Sequence, residues 1–248
     1  MTDDVAIRHE HAGTGAAPVA VLDTRRLHRL IALLLVVIVA GEGWTVLVVP
    51  ALGLDDALIG RASTRLLGLN NEGGLPAAFS FLPLLSARAA LAFTAKVADD
   101  EPSFARYRGR WLVMSLALTA VAFDEAFAVH EELIDYMRYN FGVSGAFFYG
   151  WIIPYGIAAA ALCVLMIPPL RALPSRVCTL MLAGGVCYVF GAVGMEMVGG
   201  WLETNAASEV LYQAEVVVEE LAEMIGIWTF LGGVLLVLRP RSFRVEVR

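Results

Sequence analysis

Phe123-Asp124-Glu125-Ala126-Phe127-Ala128-Val129-His130-Glu131-Glu132 places charged and titratable side chains inside a run otherwise apolar enough to cross a bilayer. An acid at the centre of a spanning helix costs about 2.5 to 3.5 kcal/mol on insertion scales, so this run belongs in a membrane only if something satisfies its carboxyls. The composition points to such a setting. Of the 248 residues 58% are hydrophobic and 17% charged, a balance outside that of soluble globular domains. Cys163, Cys178 and Cys187 lie in or beside apolar runs without Cys-x-x-Cys spacing, and they read as small buried hydrophobes.

Upstream and downstream of this stretch, apolar runs of spanning length recur. They predict an all-α polytopic membrane protein, a bundle of six transmembrane helices. Residues 1–24 are expected to form a flexible tail, 25–241 the six-span membrane domain and 242–248 a second short tail. The spans are placed at 30–50, behind the basic group Arg25, Arg26, His28 and Arg29, and at 75–97, 111–137, 147–167, 177–200 and 210–238. A short interfacial helix through Leu58, Leu66 and Leu67 is expected between the first two, and 99–110 is expected as a loop. Pro154 predicts a kink and Pro168-Pro169 a stop. Gly184, Gly185, Gly191 and Gly194 predict a close approach of a neighbouring backbone.

Basic residues orient the chain. With six spans, all of the 18 Lys and Arg except Arg61, Arg65, Arg88 and Arg138 fall on one side. The positive-inside rule then puts both termini in the cytoplasm of a plasma-membrane protein.

The acids do not scatter along the spans. Counted at about 1.5 Å per residue from the basic end of each span, Glu42 and Asp124 lie roughly 20 Å in, Glu223 about 24 Å, and His130, Glu131, Glu196 and Glu219 about 28 to 30 Å. They come from four different helices and converge on the outer third of the bilayer. Asp124 and Glu131 share one helical stripe, and Glu215, Glu219 and Glu223 form another at steps of four. Like charges so close coexist only through protonation, an intervening base or a bound cation.

The candidate site is therefore Asp124, His130, Glu131, Glu196, Glu219 and Glu223 as ligands of a divalent metal, with Glu42, Arg88, Glu125 and Glu220 as secondary members. Glu215 and Glu132 are placed at the solvated boundary. A carboxylate-rich set with one imidazole suits iron, manganese, zinc, magnesium or calcium. Such a site would serve a metal-dependent enzyme acting on a lipid or other membrane-associated substrate. Two other classes fit the same residues: a proton- or cation-coupled transporter using the acids as a relay, and a structural membrane subunit.

Asp124-Glu125 with His130-Glu131, Met195-Glu196-Met197-Val198-Gly199-Gly200, and Glu219-Glu220-Leu221-Ala222-Glu223-Met224-Ile225-Gly226 together resemble a pattern of uncharacterised bacterial multi-pass membrane proteins. The resemblance supports this choice of residues and implies no activity. The chain has no Gly-x-Ser-x-Gly elbow, no phosphate-binding glycine loop, no His-Glu-x-x-His pair and no Lys placed for a Schiff base. Its arginines read as topology determinants and contacts to anionic membrane lipids, and nucleic acid is not an expected partner.

Overall fold

The computed structural model describes residues 24–71 and 73–238. The expected tails, Glu72, Arg239 and Arg241 lie outside the described residues. The chain divides into two units, Met1–Val37 and Ile38–Arg248. In the first, the described residues are helical and apolar from Leu30 onward, with Leu33, Val36 and Val37 exposed.

All regular structure among the described residues is helical. Helix α1 is Thr24–Gly43 and runs into a π-helical turn, Trp44–Val48. The short amphipathic helix α2, Leu58–Leu67, exposes Leu58, Ile59 and Leu66. Helix α3 covers Leu75–Val97, the bounds expected from hydropathy. Pro76 sits in its first turn, where a missing N–H is harmless, and Pro83 is accommodated inside.

The organising stretch itself differs from expectation. Helix α4 is Pro102–Phe127, with a break in helical geometry at Tyr107, so 102–110 is mostly helix and not loop. It ends at Ala128, whose φ of 50° is left-handed. Helix α5, Glu131–Phe141, then leaves at 90° to α4. One long span at 111–137 is thus replaced by a bent pair. The physical reason is the pairing of Asp124 with His130: residues six apart point about 240° apart on a continuous helix and cannot meet there. The polar residues of α5, among them Glu131, Glu132, Asp135 and Arg138, also suit a surface element better than a span.

Helix α6 is Ile152–Arg171, preceded by a 3₁₀ turn at Gly145–Phe147. Pro154 falls in the first turn and makes no kink, and Pro168-Pro169 does not stop the helix. Pro169 has no N–H to offer the Leu165 carbonyl four residues back, and the Arg110 guanidinium donates to that carbonyl instead, at 3.0 Å. Ser103 Oγ donates to the Pro169 carbonyl at 2.6 Å. Side chains from α4 thus hold the proline-rich end in helical form.

Helix α7, Ser175–Val189, continues through a second π-helical turn, Phe190–Met195, into α8, Glu196–Thr204. Helix α9, Glu209–Leu238, is the central element: 56% of its most apolar window is buried, more than in any other spanning candidate. It packs most extensively on α7 and then on α3, while α3 also pairs with α4. The core joins Leu84 and Leu91 of α3, Phe104 and Trp111 of α4, Met181 of α7, and Ile227 and Val234 of α9.

Glycine sets the α7–α9 crossing. A Cβ on Gly184 would lie 2.4 Å from Phe230 N, and one on Gly226 would lie 2.4 Å from Tyr188 N. No residue with a side chain fits at either position without moving backbone. Gly191 likewise seats Glu223, but Gly185 faces open space and Gly194 meets only the ring of Phe190, so two of the four expected glycines make the contact.

Five helical stretches are long and apolar enough to cross a membrane: Arg29–Ala51, Leu75–Val97, Ile152–Arg171, Ser175–Thr204 and Glu209–Leu238. The bent pair of α4 and α5 makes a sixth. Leu116, Ile157, Val164 and Val186 are each about two-thirds exposed, an apolar exterior that suits lipid contact. These features are compatible with a multi-pass membrane protein.

Candidate functional site

Asp124 occupies the last turn of α4, and the reversal at Ala128 brings His130 back over it. His130 Nδ1 lies 2.9 Å from Asp124 Oδ2, and the Tyr155 hydroxyl of α6 donates to Asp124 Oδ1 at 2.8 Å. Both carboxylate oxygens are thus engaged. The His130 ring in turn stands against the Trp151 ring, 4.9 Å between centroids, and Trp151 meets Tyr155 edge to face at 5.2 Å.

Trp151 links this group to the next acid, since its indole Nε1 donates to Glu196 Oε1 at 3.1 Å. Glu196 opens α8 directly after the π-helical turn. Glu219 of α9 lies within hydrogen-bonding reach of both Glu196 and Glu215. Glu215 is buried, 5% exposed, and its Oε1 has no hydrogen-bond partner among the described residues. Gly199 makes room for it: a Cβ there would stand 2.9 Å from Glu215 Oε2. Glu223, also buried, fills the space over Gly191, and the charges of Glu125 and Glu220 reach it.

The residues of the sequence-derived set fall into separate small groups. Asp124 and His130 form one pair, Glu196 and Glu219 another, and Glu223 with Glu125 and Glu220 a third group on the same side of α9. His130 joins the cluster because of the chain reversal, which spacing alone does not reveal. Glu131 is exposed in the first turn of α5, where its charge still acts on Glu196. Glu132 is exposed, as expected, whereas Glu215 is buried and not solvated.

Two secondary members have other work. Arg88 is exposed on α3, and its Nε donates to Thr119 Oγ1 at 3.1 Å rather than to an acid of the cluster. Glu42 is buried, and its Oε2 accepts the Leu69 backbone N–H at 2.8 Å and faces the Thr45 hydroxyl at 3.3 Å. Cys163, expected to be buried, is exposed, and Cys187 Sγ contacts the Ala222 carbonyl at 3.2 Å.

Sequence reasoning missed Trp151, Tyr155, Tyr149 and Tyr212. A signal existed, because Trp151 and Tyr155 are four apart at the start of an apolar run and so share a helix face. Tyr149 and Tyr212 place their hydroxyls 3.3 Å apart. Burial first, and then the bond to Tyr212, push the Tyr149 hydroxyl well above the ordinary phenol range, which keeps it neutral and hydrogen-bonding. Among the described residues no group of three or more His, Cys, Asp and Glu side chains stands in position to hold a metal ion.

The chain belongs to a family described as a domain of unknown function, DUF8692, whose model matches residues 29–237. No curated protein and no solved structure matches it.

Proposed function

We propose that this member of the DUF8692 family is a multi-pass membrane protein that takes up and releases protons at a buried carboxyl cluster centred on Glu219, in the manner of a proton- or cation-coupled carrier. One observation carries the reading: the carboxyls of Glu196, Glu215 and Glu219 lie close enough to interact with one another, with Glu215 and Glu219 on the most buried of the described spanning helices. Two carboxylates do not hydrogen-bond each other, so contact between carboxyls requires a proton between them. Three in a row hold protons that can be exchanged with little rearrangement.

The Asp124–His130 pair extends the proton-binding groups toward α4, with Trp151 fixing Glu196 between the two. Tyr155 holds Asp124 from the far side, so that the pair keeps its orientation whichever partner carries the proton. The arginine asymmetry of the sequence supports cytoplasmic termini and a plasma-membrane location, with the cluster toward the outer face.

Infrared difference spectroscopy of the purified protein in lipid nanodiscs tests the reading. A protonated-carboxyl C=O band should appear and vanish with pH in the wild type and be lost in Glu219→Gln. Metal analysis of protein purified without chelator is the second arm. Stoichiometric iron, manganese, zinc, magnesium or calcium, released by Glu219→Ala or Asp124→Ala, would overturn proton exchange in favour of a metal centre with Asp124, His130, Glu196, Glu219 and Glu223 as ligands.

A further inference from the structure

Arg61 and Arg65 are two of the four Lys and Arg that do not fall on the basic side of the chain, so membrane orientation gives no reason for them. Both lie on α2, and the way α2 is seated supplies one. A Cβ on Gly60 would stand 1.9 Å from the Leu54 carbonyl oxygen and 3.2 Å from a Val49 methyl, and a Cβ on Gly41 would stand 3.2 Å from the Leu67 Cβ. The start of α2 therefore packs at the end of the first spanning stretch, Arg29–Ala51. Its last residue packs on Gly41, about 12 Å further back along that span. Helix α2 thus doubles back beside the span instead of leading away from it, and the Leu69 N–H bond to Glu42 Oε2 fastens the return.

On the face turned away from α1, Leu58, Arg61, Ala62, Arg65 and Leu66 fall within about 140° of one another around the helix. All five are exposed, and with Gly73 they line an open cavity of about 410 Å³. Asn71 fixes Gly73 against α2: its amide donates to the Arg65 carbonyl at 2.9 Å, and its side-chain oxygen accepts the Gly73 N–H at 3.1 Å. Among the described residues of the cavity wall no acid accompanies the two guanidiniums. Asp55 and Asp56 belong to the segment before the helix, where the Asp56 backbone carbonyl, not its carboxylate, accepts from Arg61. The cavity therefore has two halves. Leu58, Ala62 and Leu66 form an apolar strip beside a spanning helix, which suits an acyl chain. Two guanidiniums one turn apart match the oxygens of a phosphate, and a cation at membrane depth is costly unless an anion meets it. A phospholipid with a net negative headgroup supplies both halves in one molecule, whereas free phosphate leaves the apolar strip bare.

We propose that the α2 cavity holds one anionic phospholipid, with its phosphate on Arg61 and Arg65 and the first part of an acyl chain along Leu58, Ala62 and Leu66. This site rests on the membrane part of the reading above and is independent of proton exchange at Glu219.

The test is native mass spectrometry of the full chain, released from detergent micelles after titration with dioctanoyl phosphatidylglycerol. The wild type should retain one molecule and hold zwitterionic dioctanoyl phosphatidylcholine roughly tenfold less well. Arg65→Gln should weaken retention about fivefold, and adding Arg61→Gln should weaken it further. Arg65 is the more telling position, since Arg61 also holds the Asp56 carbonyl. Arg176→Gln, the same charge change at an exposed residue of α7, should leave retention unchanged. Thermal melting confirms that each variant is folded. Equal retention of the two lipids, equal loss in Arg176→Gln, or no loss in the double variant overturns the site. Displacement of the lipid by an equal concentration of inorganic phosphate would also overturn it, leaving an anion site only. A dimer that Leu58→Glu breaks, in place of retained lipid, would give the face to a second copy of the chain. If the protein leaves the membrane fraction only with detergent and retains no lipid, the membrane reading stands and the site falls. If it is soluble without detergent, both fall.

Discussion

Two groups of buried acids sit in this protein under different local rules. Glu42 is as buried as Glu215, 5% exposed in both cases, yet it has donors around it: a backbone N–H from Leu69 and the hydroxyl of Thr45. Glu215, Glu219 and Glu196 have chiefly one another, with one indole N–H from Trp151. Burial of an acid is therefore no mark of function by itself. An acid surrounded by fixed donors is a tether, here one that fastens the start of the 69–74 segment to the end of α1. An acid whose neighbour is another acid is, on the proposed reading, one that shares a proton and can give it up.

The strongest way to break the contrast is to remove the scaffold that creates one side of it. Gly226→Val puts a branched side chain where even a Cβ would lie 2.4 Å from Tyr188 N, so the α7–α9 crossing should open and the acid cluster disperse. Size-exclusion chromatography should show loss of the monodisperse species. Next in size is Glu42→Leu, which leaves the Leu69 N–H without its acceptor at a cost of about 1 to 3 kcal/mol. The melting temperature should fall while the Glu219 infrared band is untouched, and a change in that band would erase the distinction between the two groups.

Glu219→Gln is the converse. It keeps a hydrogen-bonding side chain of the same shape, so stability should move by less than about 1 kcal/mol while the pH response disappears. A large loss of stability with an intact pH response would make Glu219 a tether like Glu42. Smallest of all is Glu132→Gln on the exposed face of α5, expected within about 0.5 kcal/mol of the wild type by thermal melting and with the same infrared titration.

The sequence was most informative where hydropathy and chemistry act locally. Leu75–Val97 could be bounded from its apolar run, and Glu209–Leu238 to within one residue. Asp124, Glu196, Glu219 and Glu223 could be singled out because each is an acid at a similar distance along its own apolar run. Asp124 and His130 could not be paired that way. Counting residues assumes that a helix continues, and nothing in Phe127-Ala128-Val129 announces a left-handed residue, for alanine is a poor choice for one. Pro168-Pro169 misled for a related reason, since the acceptor freed by Pro169 is taken up by Arg110 from another helix, 55 residues away in sequence and invisible to local rules. Glu215 was assigned to water by its distance from a helix end. What buries it is the missing side chain of Gly199, a packing detail that spacing does not encode.

The π-helical turn at Phe190–Met195 has a consequence for how the chain tolerates change. A helix is a screw in which each residue advances the thread by about 100°, and a π turn slips that thread by one residue. Everything from Glu196 to Thr204 is indexed by the slip. Were Phe190–Met195 to relax into regular α-helix at its present length, everything beyond would turn by about 100°, with Glu196 carried away from Trp151 and Glu219 and the Gly199-Gly200 face carried away from its neighbours, whereas deleting one residue together with the π turn would leave that face in place. For this segment, length is a phase setting, and regular helix at the present length is what loses the site.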